Sequence, residues 1–232
     1  MSFRLLKACG WGGLLALAGC QGPQDDSLIF SEVRVWNMPA EGPRIPAPRS
    51  VTCAPDDTTY VLDNAGRVLV FSPEGAYLRH WWMPEYDIGK PEGIHVLLDG
   101  RIAVTDTHYQ RVILFTPEGN VSFQFGASGR GPGEFIFPVA ITQDPEGYLY
   151  VAEYGGNDRI QKFDLKGTPI LQFGQFGSGP GQFQRPSGLA WHDQLLYVAD
   201  AMNHAIHVYN AEGQFQWSFP DDGLNAPYGV TI

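Results

Sequence analysis

The chain has 232 residues, of which 44% are hydrophobic, 13% aromatic and 17% charged. This length and composition fit one large folded domain and exclude a long disordered chain. The net charge of -10 disfavours a nucleic-acid partner, because an acidic surface repels the phosphate backbone.

Residues 1–20 have the pattern of a secretory signal peptide. The cations Arg4 and Lys7 come first, an apolar run follows, and small residues lead to Cys20. The apolar run is too short to span a bilayer. On this pattern alone, an ordinary signal peptide with a chance cysteine is the alternative to a lipoprotein leader.

The ending Leu17-Ala18-Gly19-Cys20 resembles the bacterial lipobox. The resemblance implies cleavage before Cys20 and acylation of its thiol, and Gln21 at the next position favours the outer membrane. Residues 21–27 then form a short polar tether. We therefore expect a lipid-anchored protein of the bacterial cell envelope that faces the periplasm or the exterior.

From residue 28 to residue 232 the sequence predicts one all-β domain made of repeats. Each copy opens with Pro-x-Gly or a variant of it and holds four short runs with strand character, separated by turn tripeptides such as Pro-Glu-Gly. Four-stranded units with a period of about 45 residues are typical of β-propeller blades. The copies start near Pro48, Pro91, Pro138, Pro186 and Pro227.

Three stretches carry a more specific resemblance. The segments VAEYGGNDRIQKFD, VADAMNHAIHVYN and FGQFGSGPGQFQRPSGLAW resemble NHL repeats, and the likeness extends over residues 48–232. It implies a propeller of the NHL type, which usually closes with six blades.

Both ends of the repeat region predict an incomplete ring. The chain stops at Ile232, inside the predicted first strand of a further blade. Leu28–Trp36 alternates like an outer strand that completes a last blade. We therefore interpret the chain as a fragment of a longer protein. A complete four-bladed ring is the alternative, although it would leave strand edges unpaired.

An acidic residue recurs after the second strand of every copy, and a basic residue follows it in three copies. We interpret these residues as structural pairs rather than as catalytic acids and bases, because a residue repeated in each blade is most simply part of the blade. They are Asp63 with Arg67, Asp106 with Arg111, Glu153 with Arg159, and Asp200.

Functional residues are expected where the copies differ. The first strand of each blade lines the central channel, and the residue between Pro and Gly opens that strand at one mouth. The channel-lining candidates are Arg49, Glu92, His95, Ser187 and Tyr228, with Val139 at the equivalent position of the third copy. Loops on the same rim add the binding candidates His108, Tyr109, Tyr154, Asn157 and Asn203.

Two enzyme groups with related repeats provide a test for a catalytic channel. Similarity to gluconolactonase-like propellers would imply Glu, Asn and Asp around one divalent cation, and only Glu92 matches that set. Similarity to peptide-amidating lyases would imply zinc-binding histidines at the strand starts, and none of these positions is His.

The sequence therefore favours a non-catalytic scaffold without a cofactor, which presents one propeller face to a protein, peptide or glycan ligand at the cell envelope. The alternative is a metal-dependent lactonase or peptide-amidating-lyase-like enzyme. Its channel site would lie near Glu92 and His95.

Mass spectrometry of the mature protein tests the predicted anchor. We expect a chain that begins at Cys20 and carries the mass of the attached lipid, because the lipobox directs both cleavage and acylation. A Cys20→Ser variant should lose the lipid mass, whereas Cys9→Ser should keep it. An unmodified mature N-terminus would contradict the prediction.

Overall fold

The computed structural model of the chain describes residues 34–40, 46–219 and 224–232. The predicted signal peptide, Cys20 and the tether lie outside these ranges. The described part is built from β-strands, with two short 3-10 turns at Thr107–Tyr109 and Ala201–Asn203. The prediction of an all-β fold is confirmed. No helix in the described ranges has the length and apolar character needed to cross a membrane.

The strands form four antiparallel four-stranded sheets in the described part of the chain, and each sheet follows chain order. The first blade consists of β1 (Pro48–Cys53), β2 (Thr59–Asp63), β3 (Arg67–Phe71) and β4 (Tyr77–Trp82). The second consists of β5 (Gly93–Val96), β6 (Ile102–Asp106), β7 (Arg111–Phe115) and β8 (Val121–Phe125).

Between the second and third blades, β9 (Ala127–Ser128) and β10 (Glu134–Phe135) form a short parallel pair. The third blade consists of β11 (Phe137–Gln143), β12 (Leu149–Tyr154), β13 (Arg159–Phe163) and β14 (Pro169–Phe173). The fourth consists of β15 (Pro186–His192), β16 (Leu195–Asp200), β17 (Ala205–Asn210) and β18 (Phe215–Phe219).

Apolar clusters between successive blades form the core. Alternation along a strand sends neighbouring side chains to opposite faces of a blade. On β6, Val104 therefore packs in the cluster shared with the first blade, whereas Ala103 packs in the cluster shared with the third. A third cluster joins the third and fourth blades through Tyr150 and Tyr209. Each blade thus hides apolar faces that it could not bury alone.

Each contact between neighbouring blades also includes a glycine, which lies in the turn between the third and fourth strands of one blade. Gly119, at φ +95°, lies directly against the indole of Trp81 on the outer strand of the preceding blade, so a Cβ has no room there. The same contact recurs around the fold as Gly75 with Trp36, Gly167 with Phe125, and Gly213 with Phe173.

Trp36 therefore occupies, on the first blade, the position that outer-strand aromatics occupy on later blades. Its ring stacks on Phe71 at 5.7 Å, and Met38 joins the same cluster. The sequence predicts an outer strand at Leu28–Trp36. Residues 28–33 lie outside the described ranges, and residues 34–36 are not paired as a strand.

The connectors between the second and third blades and between the third and fourth blades each contain a buried aromatic residue. Phe135 and Phe183 are fully buried, and their rings lie against Gly126 and Gly174 respectively. Each connector therefore joins consecutive blades and also fills the gap between them.

The first strands lie side by side in the order β1, β5, β11 and β15, so they form the wall of the central channel. The last described segment, residues 224–232, lies beside this wall, with Gly229 against Gly188. A blade start is predicted at Pro227, but this segment is not in a strand, because no described strand pairs with it.

Replacement of a buried arginine should show how strongly the repeated ion pairs contribute to stability. Arg67 and Asp63 are almost completely buried and lie 2.7 Å apart. Arg67→Ala leaves a buried carboxylate without its cation, so we expect the free energy of unfolding to fall by about 3–5 kcal/mol. Denaturant titration measures this loss.

The matched control is Arg101→Ala, which removes the partly exposed pair of Arg101 with Asp99. Exposed pairs contribute little, so the free energy of unfolding should change by about 1 kcal/mol or less. Equal losses in the two variants would contradict the assignment of Arg67 to a buried structural pair.

Candidate functional site

Bulges at the starts of the first strands aim side chains into one mouth of the channel. In β1, Pro48 pairs with Asp63 and Ser50 with Leu62, which leaves Arg49 without an opposing residue. Val139 and Ser187 are skipped in the same way in β11 and β15. A bulge redirects the side chain of the extra residue. In each of these three blades the bulged residue directly follows the Pro that opens the copy.

A cavity of about 270 Å³ opens at this mouth. It brings together residues from all four described blades and from the segment after the fourth. Its lining consists of Arg49, Glu92, Val139, Tyr154, Arg185, Ser187 and Tyr228.

One cavity thus holds the residue that follows the opening Pro of each copy. These five residues are Arg49, Glu92, Val139, Ser187 and Tyr228. Glu92 accepts a hydrogen bond from the Arg49 guanidinium at 2.6 Å, and both side chains are partly exposed. Ser187 donates its hydroxyl proton to the Pro227 carbonyl at 3.2 Å, which joins the fourth blade to the last segment.

Arg185 is the lining residue that the sequence analysis missed. Its guanidinium lies over the rings of Tyr154, at 4.8 Å, and Tyr228, at 5.4 Å. Because it directly precedes the Pro of the fourth copy, it stands where the other copies have Ala47, Lys90, Phe137 and Ala226. Comparing the copies one position earlier would have found it.

Tyr154 is the one rim-loop candidate that lines the cavity. Loss of hydration, together with the charge of nearby Glu92, raises the pKa of its phenol. The hydroxyl therefore stays protonated at neutral pH and can donate a hydrogen bond. One side of the ring also contacts Phe137, at 5.8 Å.

The remaining rim-loop candidates hold neighbouring loops together. Tyr109 accepts a hydrogen bond from the Asp87 amide at 3.1 Å, and the ring of His108 lies against Gly89. Asn157 donates to Glu153, and Asn203 donates to Asp200 and to the Gly177 carbonyl. These four side chains do not line the mouth cavity.

His95 lies outside the cavity as well. On β5, Ile94 and Val96 face the cluster shared with the first blade, whereas Gly93 lies against the backbone of the third blade. By alternation, His95 faces the third blade and Glu92 faces the first, where it meets Arg49. The channel site near Glu92 and His95 that the sequence suggests is thus divided between the two faces of one strand.

The repeated acids are tied into the blades. Arg111 lies 2.8 Å from Asp106, and Arg159 lies 2.6 Å from Glu153. Burial raises the pKa of the Asp106 and Glu153 carboxyl groups, although their arginine partners oppose this effect.

In the fourth blade, where no arginine follows, Asp200 accepts hydrogen bonds from the Gln184 amide, at 2.9 Å, and from Asn203, at 2.6 Å. His207 also lies 3.3 Å from this carboxylate. The acid thus keeps its place after the second strand while its partner changes.

A second cavity, of about 570 Å³, lies on the opposite rim between the β11–β12 and β15–β16 turns. Trp191 borders it and stacks on Tyr150 at 5.1 Å, and an exposed His192–Asp193 pair lies beside it.

Across the described residues of both rims, no three His, Cys, Asp or Glu side chains group as a metal site would require.

Comparisons with known proteins agree on the architecture. The family DUF5128, described as a 6-bladed beta-propeller, matches residues 84–176. The Drosophila melanogaster protein brain tumor is 31% identical over 77 residues, which are 32% of this chain and 7% of that protein. The family match covers less than half of the chain and agrees with the β-propeller fold seen here, whereas the blade number and the NHL type remain predictions.

Solved structures show the same fold at low identity. Virginiamycin B lyase from Staphylococcus aureus, a catalytically inactive variant with quinupristin, has a TM-score of 0.65 at 18% identity, over 85% of this chain and 63% of that one. A streptogramin B lyase has a TM-score of 0.62 at 19% identity, over 78% and 57%. A chain of a nidogen/laminin complex has a TM-score of 0.62 at 23% identity, over 81% and 69%.

The chain thus spans less than two thirds of the length of brain tumor and of the two lyases. At these identities, the similarity to the solved structures establishes the fold alone.

The pH dependence of stability should report the environment of His95. Burial lowers the pKa of this imidazole from 6.5 to about 4. Between these values the unfolded chain binds a proton that the folded chain does not. The contribution is therefore fully present above pH 6.5 and is lost as the pH falls towards 4, by up to about 3 kcal/mol.

Denaturant unfolding at pH 7 and at pH 4.5 measures this loss. The His95→Gln variant should lose less stability than the wild type between the two pH values. His192→Gln, at a more exposed histidine, should follow the wild type. Identical pH profiles for wild type and His95→Gln would contradict the lowered pKa and neutral state of the half-buried His95.

Proposed function

We propose that the protein is a non-catalytic binding scaffold of the cell envelope that holds a protein, peptide or glycan ligand at the mouth of its propeller channel. The observation that carries the proposal is the convergence of non-repeated side chains on one cavity. Residues that differ between copies, such as Arg49, Glu92 and Ser187, meet there, whereas the repeated acids are buried within blades.

The chemistry of the mouth suits binding by directional polar contacts. Two guanidinium groups, one carboxylate, a serine hydroxyl and two phenols surround a cavity of about 270 Å³. Arg and Tyr are enriched among residues that dominate binding energies, because they combine apolar area with hydrogen-bond donors. The blades and their connectors hold these groups, Tyr228 excepted, before a ligand arrives, which lowers the entropic cost of binding.

The proposed location follows from the leader. A lipid on Cys20 and a short tether would hold the propeller at the membrane of a bacterial envelope. The net charge of -10 opposes nucleic-acid partners and is compatible with the other three ligand classes.

A metal-dependent lactonase or lyase is the second candidate, with Glu92 as the acid at the channel mouth. The partly exposed carboxylate of Glu92 and the neutral imidazole of His95 favour it. Against it, Glu92 is already paired with Arg49, and His95 faces the other side of β5. The scaffold accounts for more of the mouth residues.

Site-directed photo-crosslinking in the envelope of the producing cell separates these candidates. A benzoylphenylalanine placed at Tyr228, which is 56% exposed in the mouth, should capture a specific partner. The same probe at Trp217, which is 43% exposed on the outer strand β18, is the matched control and should not.

Equal capture at both positions would contradict a site at the mouth. Absence of capture, together with a stoichiometric divalent metal in the purified protein and substrate turnover lost on Glu92→Gln, would replace the scaffold with the enzyme.

A further inference from the structure

Arg185 is held in the mouth cavity in an unfavourable backbone conformation. Its φ of +71° lies in the left-handed region, which a residue with a Cβ adopts only when its surroundings impose it. Two hydrogen bonds of the Arg185 main chain, one of them to the Asp158 carboxylate, hold it in this conformation. The Arg185 amide donates to Asp158 at 2.8 Å, and the Ala201 amide donates to the Arg185 carbonyl at 3.1 Å.

The guanidinium of Arg185 differs from that of Arg49 in the same cavity and from those of the repeated blade arginines. Arg49, Arg67, Arg111 and Arg159 each contact a carboxylate. For Arg185, no carboxylate of the described residues lies within ion-pair distance. Its Nε is buried without a hydrogen-bond partner among those residues, and a buried donor in that state costs free energy.

Tyr154 and Tyr228 hold this cation in place by their ring faces, which leaves the N–H donors of its two Nη atoms free to meet a ligand. The planar fork of a guanidinium matches the two oxygens of a carboxylate. Arg49 is unsuited to this role, because Glu92 already occupies its Nη2 at 2.6 Å.

We propose that the mouth cavity binds one carboxylate of a peptide, with Arg185 as the recognition group and Tyr154 and Tyr228 as its supports. This inference rests on the proposed binding function and names its ligand chemistry. A cavity of about 270 Å³ has room for a single residue of a peptide.

The Tyr154 ring favours a peptide over an acidic sugar. A pyranose needs an open aromatic face, and the Tyr154 ring already contacts Arg185 and Phe137. A peptide carboxylate needs only the edge of the guanidinium. It can come from a chain terminus or from an acidic side chain, and the test below distinguishes these two sources.

Titration of the mature protein with small defined probes tests the proposal, with binding followed by calorimetry. N-acetylglycylglycine supplies a terminal carboxylate and N-acetylaspartate amide supplies a side-chain carboxylate. The amide of N-acetylglycylglycine is the neutral control. We expect at least one acid to bind at least tenfold more tightly than the neutral amide, and the tighter acid identifies the source.

Variants then assign the binding to Arg185. Arg185→Gln should abolish the difference between acid and amide. Arg185→Lys keeps the charge but loses the planar fork, so it should weaken acid binding severalfold. Arg101→Gln, which removes a cation outside the cavity, should bind as the wild type does. Unchanged thermal unfolding of the Arg185 variants shows that the loss is not a loss of fold.

Three outcomes would overturn the proposal: equal binding of acid and amide, full binding by Arg185→Gln, or no binding of either acid by the wild type. Tighter binding of glucuronate than of both peptide acids would replace the peptide with an acidic glycan. If crosslinking from position 228 persists in Arg185→Gln, the result supports the proposed binding scaffold and contradicts only the assignment of carboxylate binding to Arg185. If crosslinking is absent while the acids bind, the result supports the carboxylate site in the cavity and contradicts the proposed binding scaffold.

Discussion

The structure depends on burial of both faces of every blade. A four-stranded sheet with apolar residues on both sides cannot be stable by itself in water, and each fully buried aliphatic or aromatic side chain contributes about 1.5–3 kcal/mol. The clusters between blades satisfy this requirement, and the contact of a turn glycine with an outer-strand aromatic fixes the spacing of the joint. Trp36 and Met38 meet the same requirement on the first blade, where they cover Phe71 and Leu69.

The scaffold leaves one edge of each first strand for the channel. Blade stacking uses the side chains that alternate between the two faces, so an ordinary strand residue points into a joint and not towards the axis. The bulges at Arg49, Val139 and Ser187 interrupt this alternation at the mouth. The same local feature therefore places side chains from three of the four described blades in one cavity, while the stacking beneath stays uniform.

Individual residues show which features of the fold the local sequence patterns predict. The turn tripeptides and the alternating runs predict four strands for each copy, and each described blade has four. The ends of the strands are harder to predict, because backbone pairing continues past the last apolar residue, as in β11, where it reaches Gln143. The strand-start set was recognisable because these positions vary among otherwise similar copies.

The position of His95 and the role of Arg185 were not accessible in this way. His95 is three residues from Glu92, and a one-dimensional pattern places the two together, whereas the face that each side chain takes depends on which blade packs against it. Arg185 meets Tyr154 and Tyr228 only because the third blade, the fourth blade and the last described segment converge at the axis.

The sequence by itself determined the repeat, the strand order within each blade and the residues that open the first strands, because these follow from local propensity and periodicity. Only the tertiary structure decided which side chains share the mouth cavity and which cation there lacks a carboxylate. Those properties arise from contacts between distant segments, whose geometry is set by blade packing and bulges and not by any single stretch of chain.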